Sequence, residues 1–84
     1  MTQIPPNWAF IIYSKLWAKF KDNRFYNEQA KQIIQGNLNQ AISRLKNDGW
    51  LKIGLDPKDS RKSIYILKNP EHAINEIIDE YSQK

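Results

Sequence analysis

Residues 37–67 read NLNQAISRLKNDGWLKIGLDPKDSRKSIYIL, and two patterns meet in them, one helical and one of paired strands. Leu38, Ala41, Ile42 and Leu45 recur at helical spacing, and Gly49 stands where a helix ends on a left-handed residue. This predicts a helix over 38–48, with Trp50 folding back onto Leu45. WLKIGL then alternates, putting Leu51, Ile53 and Leu55 on one face. SIYIL returns with Ile64 and Ile66 on a face expected to match it. Asp56-Pro57 opens the charged DPKDSRK between the two runs, which together predict a β-hairpin.

Working outward, Gly36 suits a helix terminus, and Asn37 with Gln40 three residues on forms a weak capping box. NEQAKQII, capped by Asn27, predicts a short helix with Ala30, Ile33 and Ile34 facing inward. Two short helices meeting at a glycine have the plan of a helix-turn-helix, spanning about 27–48. Arg24-Phe25-Tyr26 predicts a short strand before it. Residues 7–20, NWAFIIYSKLWAKF, predict a first helix capped by Asn7. It is apolar on more than one side, since Trp8, Ile11 and Ala18 lie outside its main apolar arc. A last helix over about 70–82 starts at Asn69-Pro70. Its stripe of Ala73, Ile74, Ile77, Ile78 and Tyr81 lies opposite its charges, and a helix this short is marginal alone.

The outer face of the 38–48 helix carries Asn39, Gln40, Ser43, Arg44, Lys46 and Asn47, with Asn37 just ahead. Asn and Gln can pair bidentately with adenine, Arg with guanine, and Ser with either. No Glu interrupts this face, and Asp48 lies at its border. Lys58, Arg61 and Lys62 stand at or near the hairpin tip, where long cations reach phosphates or the minor groove. Helix and hairpin together define a winged helix with a wing over about 50–67.

The stretch 37–67 resembles the MarR-type winged-helix regulators. The resemblance rests on Arg44-Leu45 and Gly49 at the end of the recognition helix, then Asp59-Ser60-Arg61 and the closing Leu67. Lys68 stands where that family usually has Thr. The resemblance implies that Arg61 reaches DNA from the wing and that Asp59 helps to hold it. Family members carry long flanking helices that form a dimer and often a ligand pocket. This chain has one helix on each side, on the scale of small PadR-like and plasmid or viral DNA-binding proteins, and no ligand pocket is expected.

Charge agrees with a polyanionic partner. Residues 1–68 hold twelve Lys and Arg against five Asp and Glu, a net +7, whereas residues 69–84 carry a net −3. Eighty-four residues make one domain, which buries only about 60% of its unfolded surface, so association is the expected source of further burial. The expected homodimer joins Phe10, Tyr13 and Trp17 of the first helix to Ala73, Ile74, Ile77, Ile78 and Tyr81 of the last.

No Gly-rich phosphate loop, Ser/His/Asp set or metal-ligand spacing occurs, so neither an enzyme nor a cofactor is expected. With no Cys and one His, thiolate and His-based metal sites are not expected either. No apolar run approaches a membrane span, and MTQIPP lacks a basic signal-peptide start, so the expected setting is cytoplasmic, on nucleoid, plasmid or viral DNA.

The sequence therefore predicts a single α+β, mostly helical domain over 1–84. It is expected to be a dimeric winged helix-turn-helix that binds double-stranded DNA sequence-specifically, as a small transcriptional repressor. The alternative is a plasmid or viral segregation or origin-binding protein, with a partner protein of its own. A winged helix used only for protein–protein contact is the third reading.

Overall fold

A computed structural model describes residues 2–82. It is an α+β fold, about half helical, in the order α1 (Asn7–Phe20), β1 (Phe25–Tyr26), α2 (Asn27–Lys31), α3 (Leu38–Asn47), β2 (Leu51–Leu55), β3 (Ser63–Leu67) and α4 (Pro70–Ser82). The strands form one antiparallel sheet in the order β1-β3-β2.

The core lies between α1, α3 and one face of the sheet. Ala9, Ile12, Tyr13 and Leu16 of α1 are buried against Leu38, Ala41, Ile42 and Leu45 of α3. Trp50 joins the two, edge-on to Tyr13 at 5.0 Å and to Phe10 at 5.6 Å between ring centres. At the other end of α1, Phe20 stacks on Phe25 of β1 at 4.4 Å, and Phe25 meets Tyr65 of β3. Each end of α1 is thus fixed by its own aromatic group.

The end of α3 forms as the glycine predicts. Gly49 has φ +88°, the Trp50 N–H donates to the Leu45 carbonyl at 2.8 Å, and the Gly49 N–H donates to Lys46. That is a Schellman motif, and it aims Trp50 into the core.

The helix starts differ from expectation. Asn7 is the first helical residue of α1, and the Pro6 carbonyl accepts the N–H groups of Ala9 and Phe10. Asn27 likewise lies inside α2, with Tyr26 as its cap. The Tyr26 N–H donates to Gln29 Oε1 at 2.8 Å. Asn37 is left-handed, at φ +58°, and its side chain caps nothing, so the box with Gln40 does not form. Gly36 (φ +103°) and Asn37 together make two successive left-handed steps, which turn the chain sharply into α3. α2 itself stops at Lys31 instead of running through Ile34, the Ile33 and Ile34 N–H groups both turning back to the Ala30 carbonyl, and Ile34 stays buried.

The hairpin corrects a second expectation. Ile53 pairs with Tyr65, Gly54 with Ile64, and Lys52 with Ile66. Directly opposed residues share a face, so Ile64 and Ile66 lie opposite the face of Leu51, Ile53 and Leu55. Tyr65 and Leu67 join the core cluster instead, while Ile64 is buried on the other face and Ile66 is exposed. Of the β2 apolar row only Leu51 is buried; Ile53 is 40% exposed and Leu55 66%.

The amino-terminal residues form a strap across the fold. The Gln3 N–H donates to the Asp48 carbonyl at 2.8 Å, and the Gln3 carbonyl accepts the Trp50 Nε1–H at 2.6 Å. Thr2 is buried, and its hydroxyl donates to Glu76 of α4, which also accepts from Lys68. Tyr13 adds a second tie, its hydroxyl donating to the Lys68 carbonyl. Burial pushes the Tyr13 phenol up to about 12, so it remains a donor. Asn69 caps α4 through Oδ1 to the Glu71 N–H.

The Lys68 and Thr2 donors hold the Glu76 carboxyl below its ordinary value of 4.5. A lowered folded pKa adds stability that is present above the ordinary value and is lost as pH falls through the folded one. The melting temperature of the wild type is therefore expected to drop more steeply than that of Glu76→Gln as pH falls from 6 to 3. Parallel curves from the two proteins would show that this tie adds nothing to folding.

Candidate nucleic-acid interface

The amphipathic split of α3 sets the site. Its apolar stripe is buried in the core, which leaves Asn39, Gln40, Ser43, Arg44, Lys46 and Asn47 exposed on the other side, with Asn37 exposed just before them. The structure brings most of this set together. Asn39, Gln40, Ser43, Arg44 and Asn47 line one shallow hollow of about 490 Å³, walled on one side by Trp8 of α1. Asn37 shares a neighbouring hollow with Asn39, Gln40 and Lys31. Lys46 stands apart, beside Lys52, Lys68, Glu76 and Glu80.

These side chains are not equally free. Arg44 Nε donates to Asp48 Oδ2 at 3.0 Å, and the Asp48 side chain is only 5% exposed. One edge of the Arg44 guanidinium is committed to that carboxylate, and its remaining N–H groups face outward from a half-exposed side chain. Asn39 Oδ1 accepts a long bond from Asn27 Nδ2. No hydrogen bond to Gln40, Ser43 or Asn47 side chains occurs among the described residues.

The hairpin tip is built by its two aspartates. Asp56 Oδ1 accepts the Lys58 N–H at 2.9 Å, and Asp59 Oδ1 accepts the Arg61 N–H at 3.1 Å. These side-chain turns carry the chain round between the strands. The Arg61 Nε lies 3.3 Å from the same Asp59 oxygen, while its side chain is 91% exposed. Lys58 and Lys62 are exposed beside it.

Sequence reading missed the residues that tie the tip to the body. The Tyr26 hydroxyl donates to Asp56 Oδ2 at 2.8 Å, and Lys62 Nζ lies 5.7 Å above the Tyr26 ring. The Lys58 N–H and the Tyr26 hydroxyl together hold the Asp56 carboxyl below its usual range. Tyr26, Asn27, Lys31, Arg61 and Lys62 then line a groove of about 450 Å³ between α2 and the hairpin. Lys31 brings a third cation to that groove. Its position depends on where α2 ends, which no local motif reveals.

The arrangement presents amide, hydroxyl and guanidinium groups on one helix, with a row of exposed cations to one side. It suits a ligand that is flat, rich in hydrogen-bonding edges and bordered by anions. No group of His, Cys, Asp and Glu fit to hold a metal ion occurs among the described residues, and none of their helices is long and apolar enough to cross a membrane. Comparison with family models, with curated proteins and with solved structures finds no match.

Three of the residues expected at a dimer interface lie in this chain's own core. Tyr13 is 2% exposed, Ala73 fully buried and Ile77 8% exposed. Only Ala73 and Ile77 of the α4 stripe pack inward, where Thr2 and Lys68 tie that helix to the body through Glu76. Trp17 is half-buried against the core. Phe10, Ile74, Ile78 and Tyr81 remain exposed, as do Ile4, Trp8 and Ile11. Ile4 and Tyr81 line the same hollow.

Proposed function

We propose that this chain is a winged helix-turn-helix protein of MarR-like type that binds double-stranded DNA sequence-specifically, as a small dimeric transcriptional repressor. The observation that carries the reading is the exposed face of α3, a continuous array of Asn, Gln, Ser and Arg without a carboxylate among them. In this reading α2 and α3 are the helix-turn-helix, and α3 enters the major groove. Gln40, Ser43 and Asn47 read base edges, and Arg44 does so with the edge that Asp48 leaves free. The β2–β3 hairpin is the wing, and Lys58, Arg61 and Lys62 meet the flanking backbone. Asp59 holds Arg61 there.

The dimer in this reading uses the apolar groups that the fold leaves outside, namely Phe10, Ile74, Ile78 and Tyr81, with Ile4 beside Tyr81. Exposed apolar groups in this number on a small domain suit association. A segregation or origin-binding role is the second reading, favoured by the further apolar row left bare on β2.

Salt titration of binding tests the reading. Each cation that meets a phosphate contributes about 0.9 to the slope of log K against log salt. Replacing Lys58, Arg61 and Lys62 by Ala is expected to reduce the slope by that amount for each true contact, with little change in base preference. An unchanged slope would place the hairpin away from DNA. Salt-independent behaviour of the wild type would remove the polyanion altogether and leave a protein–protein module.

A further inference from the structure

Sheet order leaves β2 at an edge, and two hydrogen bonds fix which of its groups face outward. The Asp56 N–H donates to the Lys62 carbonyl, and the Lys68 N–H donates to the Trp50 carbonyl. In an antiparallel ladder such bonded pairs recur at every second residue. Trp50, Lys52, Gly54 and Asp56 therefore turn their backbone groups toward β3. Leu51, Ile53 and Leu55 turn theirs outward, and no partner for them occurs among the described residues. An unpaired apolar edge of this kind is a template for another strand.

We propose that this edge is a self-association surface, on which β2 of a second copy pairs antiparallel with Ile53 facing Ile53. The strand is self-complementary in that register and suits no other as well. Leu51 meets Leu55 of the second copy, Ile53 meets its counterpart, and Leu55 meets Leu51. All three are pairs that exchange both hydrogen bonds, so every outward N–H and carbonyl of the strand is satisfied. The side chains of these residues form one apolar row, covering Ile53 and Leu55, which are otherwise largely exposed. Lys52 is the only charge in the strand, and it falls opposite Gly54, so like charges do not oppose one another. Gly54 has nothing within 4 Å of where a Cβ would stand, so the Lys52 stem has room to lie across it.

The two three-stranded sheets become one continuous sheet. This two-fold axis differs from the one proposed through α1 and α4. Two distinct two-fold contacts on one chain generate a closed dihedral assembly where the axes meet and an open series of molecules where they do not. The pairing stands without the DNA reading, since it rests only on the strand.

Cysteine cross-linking of the full chain without DNA tests the register, because the protein has no cysteine of its own. Bonded pairs lie about 5.5 Å apart at Cα and non-bonded pairs about 4.5 Å, both within disulfide reach. Ile53→Cys is expected to cross-link with itself under mild oxidation about tenfold faster than Leu55→Cys, whose counterparts lie beyond disulfide reach. Lys52→Cys mixed with Gly54→Cys is expected to give the mixed dimer in preference to either self-pair. These positions are exposed, so circular dichroism is expected to match the wild type. Equal rates for Ile53→Cys and Leu55→Cys, or no cross-link in either, would overturn the proposal.

Discussion

Trp50→Ala is expected to lower the melting temperature of the protein by about 12–40 °C, or to abolish cooperative unfolding at room temperature. Trp50 is among the largest side chains at the centre of the core, and it is 2% exposed. Truncating a buried aromatic residue costs about 3–5 kcal/mol, because the lost contacts leave a cavity that relaxes only partly. One kcal/mol moves the midpoint of a domain this size by about 4–8 °C. Two further losses act in the same direction. The edge-on contacts to Tyr13 and Phe10 go, and the Gln3 carbonyl loses the Nε1–H that anchors the amino-terminal strap. Whole-domain stabilities are of order 5–15 kcal/mol, so this one change consumes a large part of the total. Trp50→Phe separates the contributions, keeping most of the volume while losing the hydrogen bond. Thermal melts followed by circular dichroism measure both. A fall of under about 5 °C for Trp50→Ala would mean that Trp50 does not join α1, α3 and the strap as described.

The second large effect is on binding. A two-fold dimer presents two copies of α3, which must lie about 34–36 Å apart, or a multiple of that, to enter the major groove on one face of a duplex. The preferred site is then an inverted repeat with half-sites about ten base pairs apart, or a multiple of that. Inserting five base pairs between the half-sites turns one of them to the opposite face. Binding is expected to fall to the non-specific level, a loss of about a thousandfold or more. Ten inserted pairs restore the face but not the distance, and a rigid dimer still binds poorly. The Ile53→Lys background is the right one for this gel-shift series, since it places like charges together at the β2 edge and removes bridging by further copies. Indifference to spacing in that background would reject the isolated repressor dimer and favour a segregation protein that spreads through other contacts.

Most of the architecture was legible because it is local. Helical spacing in α1, α3 and α4 survives into the structure, and Gly49 ends α3 because only a left-handed residue lets Trp50 turn back. The faces of the hairpin were not legible, since register depends on how many residues the Asp56 and Asp59 turns consume. A slip of one residue exchanges Ile64 and Ile66 for Tyr65 and Leu67 on the inner face. The partner of α4 was also hidden. An apolar stripe looks the same whether it packs on its own chain or on another, and the deciding contacts come from Thr2 and Lys68. The strap itself has no periodicity to read, and its order rests on hydrogen bonds to Asp48, Trp50 and Glu76, which are distant in sequence. In the candidate site, the exposed face of α3 follows directly from its amphipathic pattern. The commitment of Arg44 to Asp48 is an i,i+4 pair visible in sequence, but its strength comes from the burial of Asp48, which is not. Trp8, Tyr26 and Lys31 entered the site through packing alone.

In the proposed function the outer face of α3 reads base edges. Gln40 tests it best, because its side chain has no hydrogen bond among the described residues and supports no other part of the fold. A preferred duplex is first selected from a random-sequence library, and wild type and Gln40→Ala are then titrated against it and against single-base variants by fluorescence anisotropy. Gln40→Ala is expected to lose about 1–3 kcal/mol on the preferred duplex and to lose discrimination at one position only, with melting temperature and salt slope unchanged. Equal affinity and equal base preference in the two proteins, across all the variants, would mean that Gln40 and the α3 face do not read bases.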